Sequence, residues 1–252
     1  MPDSIEILGC RLDLLDADAA TERILDFART GAGAQVVTLG TEMVVQAQRD
    51  PAFREVVNRA ALSLCDTVGL LTVARRRGAT LRSRVTGVEL VERICERAAA
   101  DRARIYLLGG AEGVAADAAG VLEARFPGLQ IAGARNGFFG SDDLARIVAE
   151  IRASQAQILC VGLGSPRQEF FLAEHLRATG CGVGIGVGGS FDVLSGRVRR
   201  APHLWRRLGL EWLYRLLREP YRWRRQLALP HFVWLIALDR LGIGAKKGTT
   251  TT

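Results

Sequence analysis

Short apolar runs alternate with longer amphipathic stretches over the first 195 residues of the chain. The apolar runs predict five β-strands, at 35–39, 61–65, 105–109, 158–162 and 182–187. The amphipathic stretches predict helices at 17–30, 41–49, 51–59, 87–100, 111–125, 141–153 and 165–178. Strands separated by helices of this length are typical of a parallel sheet with helices on its faces. The predicted fold class is therefore α/β, a Rossmann-like parallel sheet whose ligands bind beyond the carboxyl ends of its strands.

The pattern changes near residue 196, where arginine becomes frequent and glycine almost disappears. Ten arginines but only two acidic residues lie between 197 and 225, and all four tryptophans of the chain follow residue 204. An apolar stripe with helical spacing lies beside an arginine face and comprises Trp205, Leu208, Trp212, Leu213, Leu216 and Leu217. We therefore predict an α/β catalytic core at 1–195, a basic helical appendage at 196–245 that meets a membrane surface, and a disordered tail at 246–252.

Cysteine usage and apolar runs indicate where the chain works. The five cysteines form no CxxC pair, and none has zinc-ligand spacing to the three histidines. The N-terminus lacks the basic segment and apolar run of a signal peptide, so we expect a cytoplasmic chain with reduced thiols. The longest apolar run near the C-terminus, at 231–238, is much shorter than the ~20 residues of a membrane span. Any contact with the inner face of the membrane is therefore expected to be peripheral.

Two polar residues follow the first two predicted core strands. Thr38 can hydrogen-bond a ligand, or it can be buried in the sheet while Thr41 caps the next helix. Asp66 directly follows the second strand, where a carboxylate can accept a proton from an attacking hydroxyl group. Its alternative role is to cap the helix that runs from Leu70 to Arg77. The residues alone leave both alternatives open.

Three further loops combine glycine with basic and polar side chains. Arg84 and Thr86 precede a helix that begins near Gly87. They can belong to a solvated basic turn, or their donors can bind an anion at the N-terminus of that helix. The other two loops follow strands, at Gly109 and at Gly162, and their glycines let the backbone approach a ligand closely. The loop after Gly162 also places Arg167 in the first turn of a helix, facing the cleft. The candidate substrate-binding residues of these loops are Arg84, Thr86, Gly109, Gly110, Gly162, Gly164 and Gln168.

Several common catalytic motifs are missing from the sequence. It contains no HExxH, no GxSxG, no Walker A lysine and no DxD pair of the kind that holds a metal and a diphosphate. The GGxxG at Gly109 misses the full dinucleotide fingerprint and is weak support for NAD. We therefore predict an anionic substrate that is held by arginine, with neither a metal site nor a cofactor.

Taken together, the motifs resemble the WecG/TagA/CpsF glycosyltransferase family. The matching segments run in order through almost the whole chain. They are Val37-Thr-Leu39, Cys65-Asp-Thr-Val-Gly69, Arg84-Val-Thr-Gly87, Leu108-Gly-Gly110, Asn136-Gly-Phe-Phe139, Val161-Gly-Leu-Gly-Ser-Pro-Arg-Gln-Glu169, Gly186-Val-Gly-Gly-Ser-Phe-Asp192, Arg200-Ala-Pro202 and Gly209-Leu-Glu-Trp-Leu-Tyr-Arg-Leu-Leu-Arg-Glu-Pro220.

The resemblance implies an inverting, metal-independent transfer from a UDP-sugar to a polyprenyl-diphosphate-linked sugar in bacterial surface or exopolysaccharide synthesis. It implies that Asp66 is the base and that the donor pocket is lined by Thr38, Arg84 and Gln168. It also implies that the diphosphate is met by Arg215, Arg222 and Arg225 of the appendage. One departure is Gly40, where the family usually has asparagine. The donor therefore stays open between N-acetylmannosamine, its uronic acid and glucose.

Two other functional classes are compatible with parts of the chain. A sequence pI of about 9.7 and an arginine segment with aromatic residues fit a nucleic-acid-binding protein. The helical period of the tryptophan and leucine stripe instead favours an anionic membrane surface, so nucleic acid is not an expected partner. The GGxxG is the only support for a Rossmann-type oxidoreductase. The appendage could also close a homo-oligomer, which is compatible with the enzyme.

Overall fold

The computed structural model describes residues 4–202, 205, 211–218, 223 and 227–241. The strands are β1 (Ser4–Ile7), β2 (Cys10–Asp13), β3 (Ala34–Leu39), β4 (Leu62–Cys65), β5 (Arg104–Gly109), β6 (Gln130–Arg135), β7 (Ile158–Gly162) and β8 (Val183–Gly186). The core helices are α1 (Ala17–Thr30), α2 (Thr41–Ala47), α3 (Pro51–Arg59), α4 (Val68–Arg76), α5 (Gly87–Asp101), α6 (Val114–Arg125), α7 (Leu144–Ala153), α8 (Arg167–Thr179) and α9 (Ser190–Leu194). Two further helices follow, the appendage helix (Glu211–Arg218) and the C-terminal helix (Ala228–Arg240).

Six strands form one parallel sheet in the order β4-β3-β8-β7-β5-β6. All four residues of β4 and of β8 are buried, as expected for parallel strands that are covered on both faces. The predicted Rossmann-like sheet is therefore confirmed, and the bounds of the five predicted strands differ by one residue at most at either end.

The helices cover the two faces of the sheet in a pattern that opens a cleft. Helices α1, α5, α6 and α9 pack on one face, whereas α2, α3, α7 and α8 pack on the other. The chain leaves β3 and β7 toward α2 and α8 on one face, and it leaves β5 and β8 toward α6 and α9 on the opposite face. Neighbouring connections therefore diverge at the carboxyl edge of the four central strands, which is where such sheets bind ligands.

Two features of the fold were not predicted. The antiparallel hairpin of β1 and β2 turns at Leu8 and Gly9, which both have positive φ, and it buries Ile7 and Leu12. Strand β6 is an edge strand of the parallel sheet, and most of its side chains are only half-buried. A Cβ at Gly133 in this strand would lie 2.4 Å from the ring of Tyr106, so glycine lets the edge strand pack against that ring.

The predicted cap of α2 and the predicted starts of α6 and α8 are wrong. Helix α2 begins at Thr41, as predicted, but its N-cap residue is Gly40 and not Thr41. Helix α6 begins at Val114 because Gly113, at the N-cap, has a left-handed conformation with φ 75°. Helix α8 is predicted to begin at residue 165, but it begins at Arg167, and Pro166 is its N-cap residue.

The chain beyond the core contacts the core at several points. Arg197 forms an ion pair of 2.6 Å with Asp117 of α6. The C-terminal helix buries Phe232 and Ile236 in the cluster that also contains residues of α2 and α4. Within the predicted appendage at 196–245, the structure describes helices at 211–218 and 228–240, and the predicted tail at 246–252 lies outside the described residues. In the part of the chain that the structure describes, no helix has the length and apolar character needed to cross a membrane.

Candidate active site

Three segments meet at the carboxyl ends of β3 and β4. The backbone N–H of Asp66 donates to the carbonyl oxygen of Leu39 at 3.0 Å. The backbone N–H of Val85 donates to the carbonyl oxygen of Cys65 at 2.6 Å. Because Asp66 follows Cys65 and Arg84 precedes Val85, these hydrogen bonds bring the backbone at Asp66 close to the backbone at Arg84, at the edge of the sheet.

Asp66 does not occupy the cap of the helix that follows it. Helix α4 begins at Val68, and its N-cap residue is Thr67. The alternative in which Asp66 is the N-cap residue is therefore wrong, and the residue is partly exposed at the cleft. The neighbouring Cys65 is fully buried, and burial, with a smaller contribution from the charge of Asp66, raises the pKa of its thiol to about 12. The buried thiol of Cys65 therefore stays protonated at neutral pH, which leaves Asp66 as the candidate proton acceptor at this strand end.

The two candidates on the next loop have different environments. Arg84 pairs with Glu211 of the appendage helix, with 2.9 Å between Nη2 and Oε2. Thr86 is the N-cap of α5, and its buried hydroxyl oxygen accepts from the backbone N–H of Glu89 at 3.4 Å. Thr86 therefore has a structural role, whereas Arg84 brings a positive charge to the cleft.

Thr38 and Gln168 lie on either side of Gly186, the last residue of β8. The Thr38 hydroxyl donates to the Gly186 carbonyl oxygen at 2.8 Å and so links β3 to β8. The side-chain oxygen of Gln168 accepts from the backbone N–H of Gly188 at 3.0 Å. A Cβ at Gly186 would lie 2.7 Å from Nε2 of Gln168, so only glycine leaves room for the amide. Both side chains are buried at the carboxyl end of the sheet.

The candidate glycines allow the ends of β5, β7 and β8 to approach one another. Gly109 has φ 141°, and a Cβ there would lie 2.3 Å from the carbonyl oxygen of Gly162. The backbone N–H of Gly110 donates to that same oxygen at 3.1 Å. A Cβ at Gly162 would lie 2.8 Å from the carbonyl oxygen of Gly188. Close backbone packing therefore accounts for the GGxxG segment without a dinucleotide, while Gly164 has φ 76° and open space around it.

Arg167 stabilises a wall of the cleft. Its guanidinium donates to the carbonyl oxygens of Gly137 and Phe139, at 2.9 Å each. The same group lies 4.4 Å from the centre of the Phe139 ring. These contacts hold the loop that follows β6, at whose tip Phe138 is 77% exposed. At least two N–H donors of Arg167 therefore bind the protein itself. The sequence predicted only that Arg167 faces the cleft.

Glu169 is a fully buried acidic residue in the first turn of α8. Its side chain is fully buried, and one carboxylate oxygen accepts from Nε2 of Gln168 at 2.7 Å. Burial raises the pKa of this carboxyl group, although the hydrogen bond from Gln168 opposes the shift. This hydrogen bond fixes the orientation of the side-chain amide of Gln168. No sequence signal distinguished it, because a glutamate in the first turn of a helix is common.

Glu169→Gln is expected to remove a pH-dependent part of the free energy of unfolding. The folded-state pKa is raised, so the stabilisation is present below the unfolded pKa of about 4.3 and is lost as pH rises through the folded pKa. Thermal unfolding at about pH 5 and about pH 8 measures the effect. The stability of the variant relative to the wild type should be greater at the higher pH. Glu174→Gln, at an exposed position of the same helix, is the control. Parallel pH profiles for the Glu169 variant and the wild type would contradict the expectation.

The described candidates therefore converge on one edge of the sheet. Asp66, Arg84 and Thr86 lie at the β4 side, Thr38 and Gln168 beside β8, and the four glycines at β5 and β7. Arg215 belongs to the appendage helix, and its side chain is not described; Arg222 and Arg225 lie outside the described residues. Within the described ranges, no cluster of three or more histidine, cysteine, aspartate or glutamate residues could hold a metal ion.

The chain is similar to known proteins over most of its length. Residues 5–246 match the model of the family described as the glycosyl transferase WecG/TagA/CpsF family. Over 201 residues the chain is 37% identical to the N-acetylglucosaminyldiphosphoundecaprenol N-acetyl-beta-D-mannosaminyltransferase of Bacillus spizizenii, covering 80% of this chain and 77% of that protein. With these matches and a Rossmann-like sheet that gathers the motif residues at one edge, the chain belongs to the WecG/TagA/CpsF family of glycosyltransferases.

Proposed function

We propose that the protein is an inverting glycosyltransferase that moves N-acetylmannosamine from UDP to a polyprenyl-diphosphate-linked sugar. The observation that carries the proposal is the placement of Asp66 beside Arg84 at the carboxyl edge of the sheet. The sugar and the type of acceptor are those of the Bacillus spizizenii relative, whose name includes an N-acetylmannosaminyl group and a diphosphoundecaprenol acceptor. A uronic acid or glucose donor has no comparable support.

The reaction is a single displacement. Asp66 accepts the proton of the acceptor hydroxyl while that oxygen forms a bond to the anomeric carbon. The bond between the anomeric carbon and the UDP oxygen breaks on the opposite face, so the configuration inverts. UDP leaves with additional negative charge on its phosphate oxygens.

Positive groups of the cleft meet the charge of the leaving diphosphate. The planar guanidinium of Arg84 can bind two phosphate oxygens. The helices that follow β3, β5 and β7 begin at this edge, so the positive ends of their dipoles point into the cleft. These groups support a mechanism in which protein cations, rather than a divalent metal, stabilise the leaving group.

The structure has room for a side chain at Gly40, where the family usually has asparagine. It is the N-cap residue of α2, and a Cβ there would be in ordinary contact with Thr67 at 3.5 Å. A side chain could therefore be accommodated without strain. The glycine leaves more room for the donor sugar, and we propose that the hydrogen bond of the missing amide is replaced by water.

The region beyond the core is proposed to rest on an anionic membrane surface, where the lipid-linked acceptor resides. Seven of the nine exposed large apolar side chains among the described residues belong to this region: Trp212, Leu217, Trp223, Leu227, Val233, Trp234 and Leu241. The C-terminal helix has apolar residues on both sides, because Phe232 faces the core while Trp234 is 57% exposed. Exposed tryptophan beside arginine suits a lipid headgroup region on the cytoplasmic face. A second copy of the chain is the alternative partner for this surface.

A donor panel tests the proposed function. The protein is incubated with UDP-N-acetylmannosamine, UDP-N-acetylglucosamine or UDP-glucose, and with a short-chain polyprenyl-diphosphate N-acetylglucosamine, with and without excess EDTA. We expect transfer from UDP-N-acetylmannosamine at the same rate in both conditions, with an inverted anomeric configuration. Transfer from another donor would contradict the sugar assignment. Loss of activity in EDTA that magnesium or manganese restores would show that a metal holds the diphosphate.

A further inference from the structure

The ion pair between Arg84 and Glu211 joins two distant parts of the chain at the candidate active site. Arg84 lies in the loop before α5, whereas Glu211 begins the appendage helix, 127 residues later. The side chains are 19% and 15% exposed. Every other ion pair in the described ranges has at least one partner that is 21% exposed or more. The pair is therefore better shielded from solvent than the ordinary surface pairs of this protein.

The helix dipole alone does not explain Glu211. An acidic residue in the first turn of a helix is stabilised by the positive end of the dipole, and Glu211 has that position. That effect does not require a partner in the core. The carboxylate instead accepts a hydrogen bond from Nη2 of Arg84, the arginine that is held next to Asp66.

Among the described residues, the ion pair with Glu211 occupies only part of the Arg84 guanidinium. An arginine side chain has five N–H donors in one plane, and the contact with Glu211 uses one nitrogen. Fixing that nitrogen sets the orientation of the plane, so the remaining donors keep one direction. The same contact holds the start of the appendage helix against the site, and residue 215 then lies one helical turn from Glu211.

We propose that Glu211 is a positioning residue for sugar transfer, which orients Arg84 toward the donor diphosphate and holds the appendage helix against the cleft. The inference rests on the proposed function, because it assigns the donor diphosphate to Arg84. Glu211 acts through Arg84 and touches neither the donor nor the acceptor. It supplies a role for an acidic residue in an otherwise strongly basic segment.

The test compares Glu211→Gln with Asp239→Asn. Asp239 lies on the C-terminal helix and pairs with Arg77 at 2.5 Å, so its variant removes another ion pair between this region and the core, with the same change of charge. We expect Glu211→Gln to raise the donor KM and the Kd of UDP on the order of 10-fold, with the acceptor KM unchanged. Asp239→Asn should leave all three constants at their wild-type values.

Hydrogen exchange separates this inference from the proposed function. Amides 211–218 should exchange faster in Glu211→Gln, and the double variant Arg84→Glu/Glu211→Arg should restore protection without restoring transfer. If the wild type transfers no sugar, the proposed function fails while the exchange data still decide whether the pair holds the helix. Wild-type UDP affinity in Glu211→Gln would overturn the positioning role. Tighter UDP binding would also overturn it, because Glu211 would then compete with the donor for Arg84.

Discussion

Asp66→Asn is expected to lower the rate of sugar transfer by ~10²–10⁴-fold, the usual loss when a general base is removed. The asparagine has nearly the same size and can still form hydrogen bonds, but it cannot take up the proton of the acceptor hydroxyl. The backbone hydrogen bond from residue 66 to Leu39 does not depend on the side chain, so the strand end should keep its conformation. Transfer rates at saturating donor and acceptor, with UDP affinity by calorimetry, measure the effect.

Asp50→Ala is the control for a capping role. Asp50 is the N-cap of α3, and its carboxylate accepts from the backbone N–H of Phe53 at 2.9 Å. Losing that cap should cost ~1 kcal/mol of stability and leave transfer intact. Asp66→Asn should give the opposite result, with the wild-type melting temperature and UDP affinity but little transfer. Near wild-type turnover in Asp66→Asn at saturating acceptor would show that another group takes the proton.

The central sheet could be predicted because its strands are continuous apolar runs. Strands such as β7 and β8 are buried on both faces, so their sequences contain little besides apolar residues and glycine. Strand β6 lies at the edge, contains Gly133 and ends in Arg135, and thus lacks that pattern. The β1–β2 hairpin was missed because its strands have four residues each, too few to show a period clearly.

The candidate site was only partly predictable, for a different reason. Thr38, Asp66 and Arg84 follow or approach strand ends, and the sheet topology brings all strand ends to one edge. Glu169 and Glu211 carry no such signal, because the burial of one and the ion pair of the other depend on contacts between segments far apart in sequence. Likewise, the need for glycine at position 109 comes from Gly162, which lies on the neighbouring strand.

The second large effect is expected at Arg215, which lies one turn beyond Glu211 in the appendage helix. Because Glu211 contacts Arg84 at the cleft, we expect residue 215 to be close enough to the diphosphate for its charge to matter during the reaction. A contact that stabilises transition-state charge is worth roughly 3–4 kcal/mol, so Arg215→Ala should lower kcat by about 10²–10³-fold. Arg222, which lies outside the described residues, is expected to behave in the same way.

Arg218→Ala is the matched control, since it removes the same charge from the same helix. Arg218 is exposed, lies 5.7 Å from the Tyr214 ring centre, and is almost two turns from Glu211. Each arginine should contribute about 1 kcal/mol to binding of anionic vesicles, so both variants should weaken that binding equally. The deciding measurement is kcat on a water-soluble acceptor analogue, where recruitment to a membrane cannot contribute. With that acceptor, the kcat of Arg218→Ala should match that of the wild type. Equal kcat values for Arg215→Ala and Arg218→Ala would mean that the appendage helix is only a membrane anchor and that the core alone holds the diphosphate.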